Sequence, residues 1–169
     1  MQKFISLLLF VFTFSFISAQ EDFEASTLRI GPYKIDMEKS SVEKVSRTKV
    51  SHTGESSVTY KGESIRLLID ERYINEKNTN AWVVYGIITK SRKFRTKSGV
   101  GVGSTKDEVI NAYKNFQSFR AYPAWSETGE KLKNENYFAI VDGDAGTELT
   151  FRFVNNIVTE ISVFLNEGC

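Results

Sequence analysis

Residues 137–165 read YFAIVDGDAGTELTFRFVNNIVTEISVFL, and their alternation of apolar and polar side chains decides the predicted fold. Residues 148–154 and 157–165 place apolar side chains at every second position, which is typical of half-buried strands. Residues 142–146 and the pair Asn155-Asn156 interrupt the alternation and are typical of hairpin turns. The sequence therefore predicts three consecutive antiparallel strands, over residues 137–141, 148–154 and 157–165.

A helix is predicted upstream of these strands, over residues 105–116. Ser104 is a favourable N-cap residue, and Asp107 three positions later fits the pattern of a capping box. The apolar residues that recur at the spacing of one helix face are Val109, Ala112, Tyr113 and Phe116. We expect this face to pack on the three strands, as in a two-layer α+β arrangement.

The first half of the chain repeats this plan faintly. Residues 31–45 align with residues 99–112, which places Val42 over Val109 and Lys39 over Lys106. Three further candidate strands follow, at residues 57–60, 64–70 and 81–88. The second copy is longer because it carries a polar insertion, residues 117–136.

The predicted fold class is therefore α+β, with two unequal helix-on-antiparallel-sheet units. The predicted boundaries are 1–19 for a signal peptide, 20–96 for the first unit and 97–169 for the second unit. The alternative is one continuous domain in which the strands of both units join into one curved sheet.

The first nineteen residues have the order of properties of a cleavable secretory signal. Lys3 is followed by an apolar run, residues 4–17, and then by the small residues Ser18 and Ala19. The rival interpretation is a membrane anchor, but a spanning helix needs about 20 apolar residues and this run is shorter. We expect cleavage after Ala19 and a mature chain that is periplasmic or secreted, with no membrane span.

The composition of the mature chain limits the classes of partner that we expect it to bind. The full chain has 22 Lys and Arg and 21 Asp and Glu, and residues 1–19 remove one cation, Lys3, and no acid. The mature chain is therefore neutral, which argues against nucleic acid and anionic membranes as partners. Cys169 is the only cysteine, so an internal disulfide is excluded; pairing between chains is the alternative to an incidental thiol.

Residues 94–113, FRTKSGVGVGSTKDEVINAY, resemble the pattern Gly-x-Gly-x-(Ser/Thr)-x-x-(Asp/Glu)-Val-x-x-x-Tyr. This pattern belongs to two kinds of small exported domain, the β-lactamase-inhibitor-protein-like domains and the SmpA-type outer-membrane-assembly domains. The resemblance implies helices on an antiparallel sheet, in two tandem units for the inhibitor type. The chain lacks the disulfides of the inhibitor type and the lipid-attachment cysteine of the SmpA type, so neither family's partner is carried across.

The sequence contains no catalytic signature, so we predict no enzymatic activity, no catalytic residue and no cofactor. His52 is the only histidine and lies in a polar stretch without a nucleophile-elbow pattern. Residues 99–106 precede a helix, where N–H groups could hold phosphate, but the spacing is not that of a P-loop and a tight turn is favoured.

A metal site is not predicted either. The turn at residues 142–148 supplies carboxylates of the kind that bind calcium, but not in the order of an EF-hand, and a hairpin turn is favoured. The weak candidate ligands are Asp142, Asp144 and Glu148.

Aromatic side chains outside the predicted core are the better functional signal, because partly exposed aromatics are typical anchors of protein interfaces. The alternative is that they pack in the core. Trp82 and Tyr85 have opposite parity in one strand, so only one of them can face the helix. The basic run of residues 90–97 favours a solvated edge, with a binding stripe for an acidic partner as the alternative. The candidate partner-binding residues are Trp82, Tyr85, Tyr122, Trp125 and Arg152.

We therefore predict an exported, non-enzymatic binding protein that engages a protein partner in the cell envelope or outside the cell. Inhibitor, immunity and envelope-assembly roles all fit this description, and the oligomeric state stays open. The alternative is a periplasmic protein that binds a small ligand or a glycan in the cleft between the two units.

Overall fold

The computed structural model describes residues 22–74 and 77–166. The predicted signal peptide and Cys169 lie outside the described residues. None of the helices in the described ranges has the length and apolar character of a membrane span. The elements in these ranges are β1 (Arg29–Ile30), β2 (Tyr33–Lys34), α1 (Lys39–Ser46), β3 (Gly54–Tyr60), β4 (Glu63–Ile74), β5 (Lys77–Thr89), α2 (Lys106–Tyr113), β6 (Phe119–Trp125), β7 (Lys131–Asp142), β8 (Thr147–Val154) and β9 (Ile157–Leu165).

Seven strands form one antiparallel sheet in the order β3-β4-β5-β9-β8-β7-β6. Strands β3, β4 and β5 are consecutive in the chain and adjacent in the sheet, and so are β6, β7, β8 and β9. The two sets join where β9 pairs with β5, with Ile87 opposite Val163. Strands β1 and β2 form a separate two-stranded sheet.

The prediction of three consecutive strands at residues 137–165 is confirmed by β7, β8 and β9, which pair in that order. The side chains that alternation placed together on one face of β8 are all buried: Leu149, Phe151 and Phe153. Asn155 and Asn156 adopt left-handed backbone conformations with φ of 52° and 63°. Asparagine tolerates this region, so the pair closes the tight hairpin between β8 and β9.

The predicted α+β class with two helix-on-sheet units is wrong, because the chain is predominantly β. Helices α1 and α2 have eight residues each, and each buries one side chain, Val42 in α1 and Val109 in α2. Helices this short cannot cover a seven-stranded sheet. The faint alignment of residues 31–45 with 99–112 matched these two valines, which are too small a part of the core to define a helical layer.

Residues 117–136, which the sequence analysis describes as a polar insertion, contain β6 and the beginning of β7. Strand β6 lies at the edge of the sheet, and most of its side chains are exposed. An edge strand whose side chains are mostly exposed needs few large apolar residues, so its alternation in the sequence is weak. Pro123 is compatible with this position because an edge strand has N–H groups outside the ladder.

Segments outside the large sheet take the place of the expected helical layer. Ile30, Tyr33 and Phe94 are fully buried in the same core cluster as the inward side chains of β4, β5, β8 and β9. The segments 22–38 and 90–105 are hydrogen-bonded to each other, because the N–H of Ala25 donates to Arg95 O at 2.8 Å. One sheet face, which we call the core face, is thus covered by residues 22–38, residues 90–105 and the two helices.

Helix α2 begins one residue later than the sequence predicts. Its N-cap is Thr105, whose Oγ1 accepts from the N–H of Glu108 at 3.2 Å while the Glu108 carboxylate accepts from the Thr105 N–H at 2.7 Å. This reciprocal pair is a capping box. The hydroxyl of Ser104, the expected N-cap, is used in the preceding loop, where it accepts from the N–H of Gly101 at 3.2 Å.

Glu43 ties helix α1 to the loop that follows it. Its carboxylate accepts hydrogen bonds from Lys39 Nζ at 2.8 Å, from Lys49 Nζ at 3.0 Å and from the N–H of Val50 at 3.2 Å. These donors favour the charged form, so the pKa of Glu43 is lowered to about 2, with Lys39 the largest cause.

The contribution of Glu43 to stability is expected to be lost as the pH falls from about 4.5, the ordinary pKa of a glutamate, to about 2. The unfolded chain takes up the proton first in this range, so acid favours unfolding. Denaturant unfolding of the wild type and of Glu43→Gln at pH 5, 3.5 and 2.5 measures the effect. The difference in the free energy of unfolding should shrink as the pH falls, and a constant difference would contradict the assignment.

Candidate functional site

The sheet face opposite the core, which we call the outer face, carries a row of large polar and aromatic side chains. In the register of the sheet, Tyr122 lies opposite Tyr137, Tyr137 opposite Arg152, and Arg152 opposite Glu160. Directly opposite residues on neighbouring strands point to the same side of a sheet. The four side chains therefore form one continuous row across β6, β7, β8 and β9.

The aromatic end of this row is a stacked pair. The rings of Tyr122 and Tyr137 lie 5.2 Å apart between centroids and are inclined by 24°. The Arg120 guanidinium lies 5.6 Å from the centroid of the Tyr122 ring and also pairs with Glu148. Burial raises the pKa of Tyr122, with the Glu148 carboxylate adding to the effect, so its hydroxyl remains a hydrogen-bond donor at neutral pH.

Arg152 lies in the middle of the row and is fixed in place. Its Nη2 and Nε donate to the same carboxylate oxygen of Glu135, at 2.6 and 3.2 Å. This hydrogen bonding raises the pKa of Arg152, so the guanidinium is charged at every relevant pH. The side chain is held in one conformation before any partner arrives.

The row continues toward β4 through an ion-pair network. Glu160 accepts from Arg66 Nη2 at 3.1 Å, and Lys90 Nζ lies 3.8 Å from the same carboxylate oxygen. Arg66 also pairs with Glu55 on β3 at 3.2 Å. The network thus links β3, β4 and β9 along the outer face, with Lys90 directly after β5.

The charged side chains in and beside the outer row form pairs of opposite sign. Every cation named above has a carboxylate partner, and the pairs involve β3, β4 and β6 to β9, together with Lys90 directly after β5. The pairs are Arg66 with Glu55 and Glu160, Lys90 with Glu160, Arg120 with Glu148, and Arg152 with Glu135. Such a face has no general attraction for a highly charged polymer. It offers aromatic surface and fixed hydrogen-bonding groups instead.

The structure brings together two of the five predicted contact residues, Tyr122 and Arg152, in the outer row. Trp125 stands at the end of edge strand β6 and is 61% exposed. The other two are elsewhere. Trp82 packs against the core cluster with its ring 5.2 Å from that of His52, beside Lys39 of α1, and Tyr85 lies half-buried next to an irregularity in the register of β4 and β5.

Sequence reasoning missed the residues that hold the row together, Tyr137, Glu135 and Glu160. Their position depends on which residue lies opposite which across two hairpins. Counting outward from the Asn155-Asn156 turn pairs Arg152 with Thr159, and a register irregularity between Arg152 and Phe153 moves its partner to Glu160, so this contact could not have been found by counting. Tyr137 could have been found by counting from the other turn, at residues 143–146.

The three weak metal candidates do not form a site. Asp142 Oδ2 accepts from Thr27 Oγ1 at 3.0 Å and Oδ1 accepts from the N–H of Ala145 at 3.1 Å, whereas Glu148 pairs with Arg120. Across residues 22–74 and 77–166, no three or more His, Cys, Asp or Glu side chains cluster closely enough to hold a metal ion. His52 lies exposed in the loop before β3.

Neither protein-family models, nor curated proteins, nor solved structures give a match to this chain. The resemblance of residues 94–113 to the inhibitor-like and SmpA-type domains therefore stays a prediction.

Proposed function

We propose that this chain is an exported, non-enzymatic binding protein that engages a protein partner through the outer face and the adjoining Trp125. The observation that carries the proposal is the row Tyr122, Tyr137, Arg152 and Glu160. Tyrosine, tryptophan and arginine are the residue types that dominate binding energy at protein interfaces. Here they form one continuous surface on a rigid sheet.

The size of the outer face suits a protein partner. Six strand spacings of about 4.8 Å and strands of about eight residues at about 3.4 Å each give roughly 800 Å². One partner contributes about 800 Å² to an interface of standard size. A small molecule would leave most of such a flat face uncovered.

The fixed geometry of the row supports the same proposal. Arg152 is held by Glu135, and Tyr122 is held between Tyr137 and Arg120. Ordering long side chains on binding costs free energy, and side chains that are already ordered avoid much of that cost. The matched charges leave the selection of a partner to shape and hydrogen bonding.

We place the partner in the periplasm or outside the cell because residues 1–19 have the pattern of a secretory signal. Fractionation of cells that produce the full chain tests this localisation. The protein is expected in the periplasmic or culture fraction without residues 1–19, and retention of the full chain in the cytoplasm would contradict export.

Loss of Tyr122 and Arg152 is expected to weaken capture of the partner at least about tenfold, since hot-spot residues each contribute about 2 kcal/mol or more. The mature chain, immobilised at micromolar concentration, is exposed to envelope extract and to concentrated culture medium. The wild type should retain one protein in stoichiometric amount, and the double variant Tyr122→Ala/Arg152→Ala should not.

The matched control is Lys44→Ala/Lys114→Ala, which truncates two exposed side chains at the ends of the helices, away from the outer face. The control should capture the partner as the wild type does, and thermal unfolding should show that all variants are folded. Equal capture by both double variants, or no stoichiometric protein with the wild type, would refute the proposal.

A further inference from the structure

The two edges of the large sheet differ in how well they are protected against pairing with another chain. Strand β6 carries Pro123 and an irregularity in its register with β7 before Trp125. Both features discourage the addition of a further strand. Strand β3 pairs with β4 over its whole length, Gly54–Tyr60, without a shift in register, and it contains no proline and no lysine. An open edge of this kind is a template for another strand.

The hairpin between β3 and β4 determines which backbone groups of β3 face away from the sheet. Its loop is the pair Lys61-Gly62, with φ of 48° and 85°. The flanking residues Tyr60 and Glu63 therefore form the closing hydrogen-bonded pair of a two-residue hairpin. Hydrogen-bonded pairs recur at every second residue of an antiparallel ladder. The N–H and C=O groups of Tyr60, and of every second residue before it, thus point to β4.

The backbone groups of the intervening residues, Glu55, Ser57 and Thr59, point outward. Within residues 22–74 and 77–166, these groups form no hydrogen bond, and the three residues are exposed. Each copy of the chain thus presents three N–H donors and three C=O acceptors along one edge. Glu55 is the only charged residue of β3, and its carboxylate is paired with Arg66 at 3.2 Å.

The outward groups are arranged symmetrically about Ser57, so a second copy of the same strand can satisfy all of them. In an antiparallel pair centred on Ser57, that residue lies opposite its own copy and Glu55 lies opposite Thr59. Each copy donates three hydrogen bonds and accepts three, which gives six in all. The acid lies opposite a hydroxyl rather than another acid. On the core side, Tyr60 lies opposite Gly54, which has no side chain to obstruct the ring.

Edge strand β6 is not self-complementary in this way. The N–H of Val141 donates to Ser118 O at 3.0 Å, so the backbone groups of Ser118 point to β7. Alternation then points the groups of Phe119, Ala121 and Pro123 outward. Proline has no N–H. A two-fold pairing of β6 about Ala121 therefore lacks one of the three donors in each copy.

We propose that the chain forms a two-fold dimer in which β3 pairs with β3 of a second copy, centred on Ser57. The two seven-stranded sheets then form one continuous sheet. The two-fold axis is perpendicular to this sheet, so both outer faces lie on the same side. Seven paired residues extend over about 24 Å, which makes a small interface, and we expect a reversible dimer with a Kd on the order of 100 μM. The dimer does not depend on the partner proposed for the outer face.

Sedimentation equilibrium of the mature chain, at concentrations from about 10 μM to about 1 mM, tests the proposal. The wild type should pass from monomer to dimer over this range. Ser57→Lys and Ser57→Glu should each remain monomeric, because the symmetry places two like charges directly opposite each other. An equimolar mixture of these two variants should form a heterodimer, because opposite charges then face each other across the two-fold axis. A mixture that stays monomeric would overturn the proposal.

Ser57→Pro removes an outward N–H and leaves the bonds between β3 and β4 intact, so this variant should fold and remain monomeric. Thermal unfolding checks the fold of each variant. The matched control is Ala121→Lys, which places a charge at the centre of the other edge strand and should dimerise as the wild type does. Tyr122→Ala/Arg152→Ala should also dimerise normally, which separates this interface from the outer face. A wild type that is monomeric at about 1 mM, or a dimer that is abolished by Ala121→Lys, contradicts the assignment.

Discussion

Replacing Phe151 with alanine is expected to lower the free energy of unfolding by about 3–5 kcal/mol. Phe151 is fully buried on the core face of β8, between Phe138 on β7 and Ile161 on β9. Its ring lies 6.0 Å from that of Tyr113, so truncation also removes a contact between the sheet and α2. Urea unfolding followed by circular dichroism measures the change.

Phe119→Ala is the matched control for this prediction. Phe119 lies on edge strand β6, opposite Ile140, and is 48% exposed although its ring stacks on Phe138 at 5.3 Å. The same truncation there should cost well under half as much, because less apolar surface returns to water and little cavity remains. Equal costs at the two positions would show that the core is not centred on β8.

Gly101→Ala is expected to destabilise the fold by about 1–3 kcal/mol, the usual cost of overpacking. A Cβ at this buried position would lie 2.5 Å from the carbonyl oxygen of Phe94 and 2.9 Å from Arg95 Cδ. The oxygen belongs to backbone that anchors the fully buried Phe94, so the strain cannot be relieved by a rotamer change. Denaturant unfolding should show a lower midpoint at an unchanged slope.

Gly143→Ala provides the comparison, because a Cβ there would meet no heavy atom within 4 Å and the backbone is not left-handed. This variant should be neutral or slightly more stable, since alanine reduces the entropy of the unfolded chain. A similar loss in both glycine variants would mean that close packing at Gly101 is not the cause of the effect, because chain entropy alone favours alanine.

The C-terminal strands could be predicted because their inward side chains are strongly apolar and their turns are marked by residues that tolerate left-handed backbone. Leu149, Phe151 and Phe153 define a buried face without any knowledge of the partner strands. Edge strand β6 could not be predicted, since Arg120, Tyr122 and Pro123 fit neither the periodicity of an amphipathic helix nor that of a half-buried strand. Its pairing with β7 is a tertiary contact that no local pattern encodes.

The predicted fold class was wrong for a related reason. A capped, amphipathic helix is visible in the sequence at residues 105–116, but its short length in the structure and the single buried Val109 are consequences of packing. The segments that cover the core face, such as residues 22–38, have little regular structure and no periodicity. Sequence patterns report regular elements, so they overstated the helices and overlooked these irregular segments.

The candidate site was predictable in part. Arg152 follows from the alternation of β8, and Tyr122 from the rule that partly exposed aromatics anchor interfaces. Arg152 and Tyr122 lie in one row because both are opposite Tyr137, and this depends on strand register. Trp82 was predicted to be a surface residue, although it packs against the core beside α1. Chemical type was therefore easier to predict than position.

The pairing of β5 with β9 has a consequence for the order in which the molecule assembles. The two sets of strands join into one sheet only when β9 pairs with β5, because β9 lies between β5 and β8. Until then, β5 and β8 have unpaired edges that other chains can reach. The pairing of β5 with β9 requires contacts between distant parts of the sequence. Such topologies fold slowly and are prone to aggregate. Newly made chains are therefore expected to depend on chaperone protection until Ile157–Leu165 has been synthesised and docked.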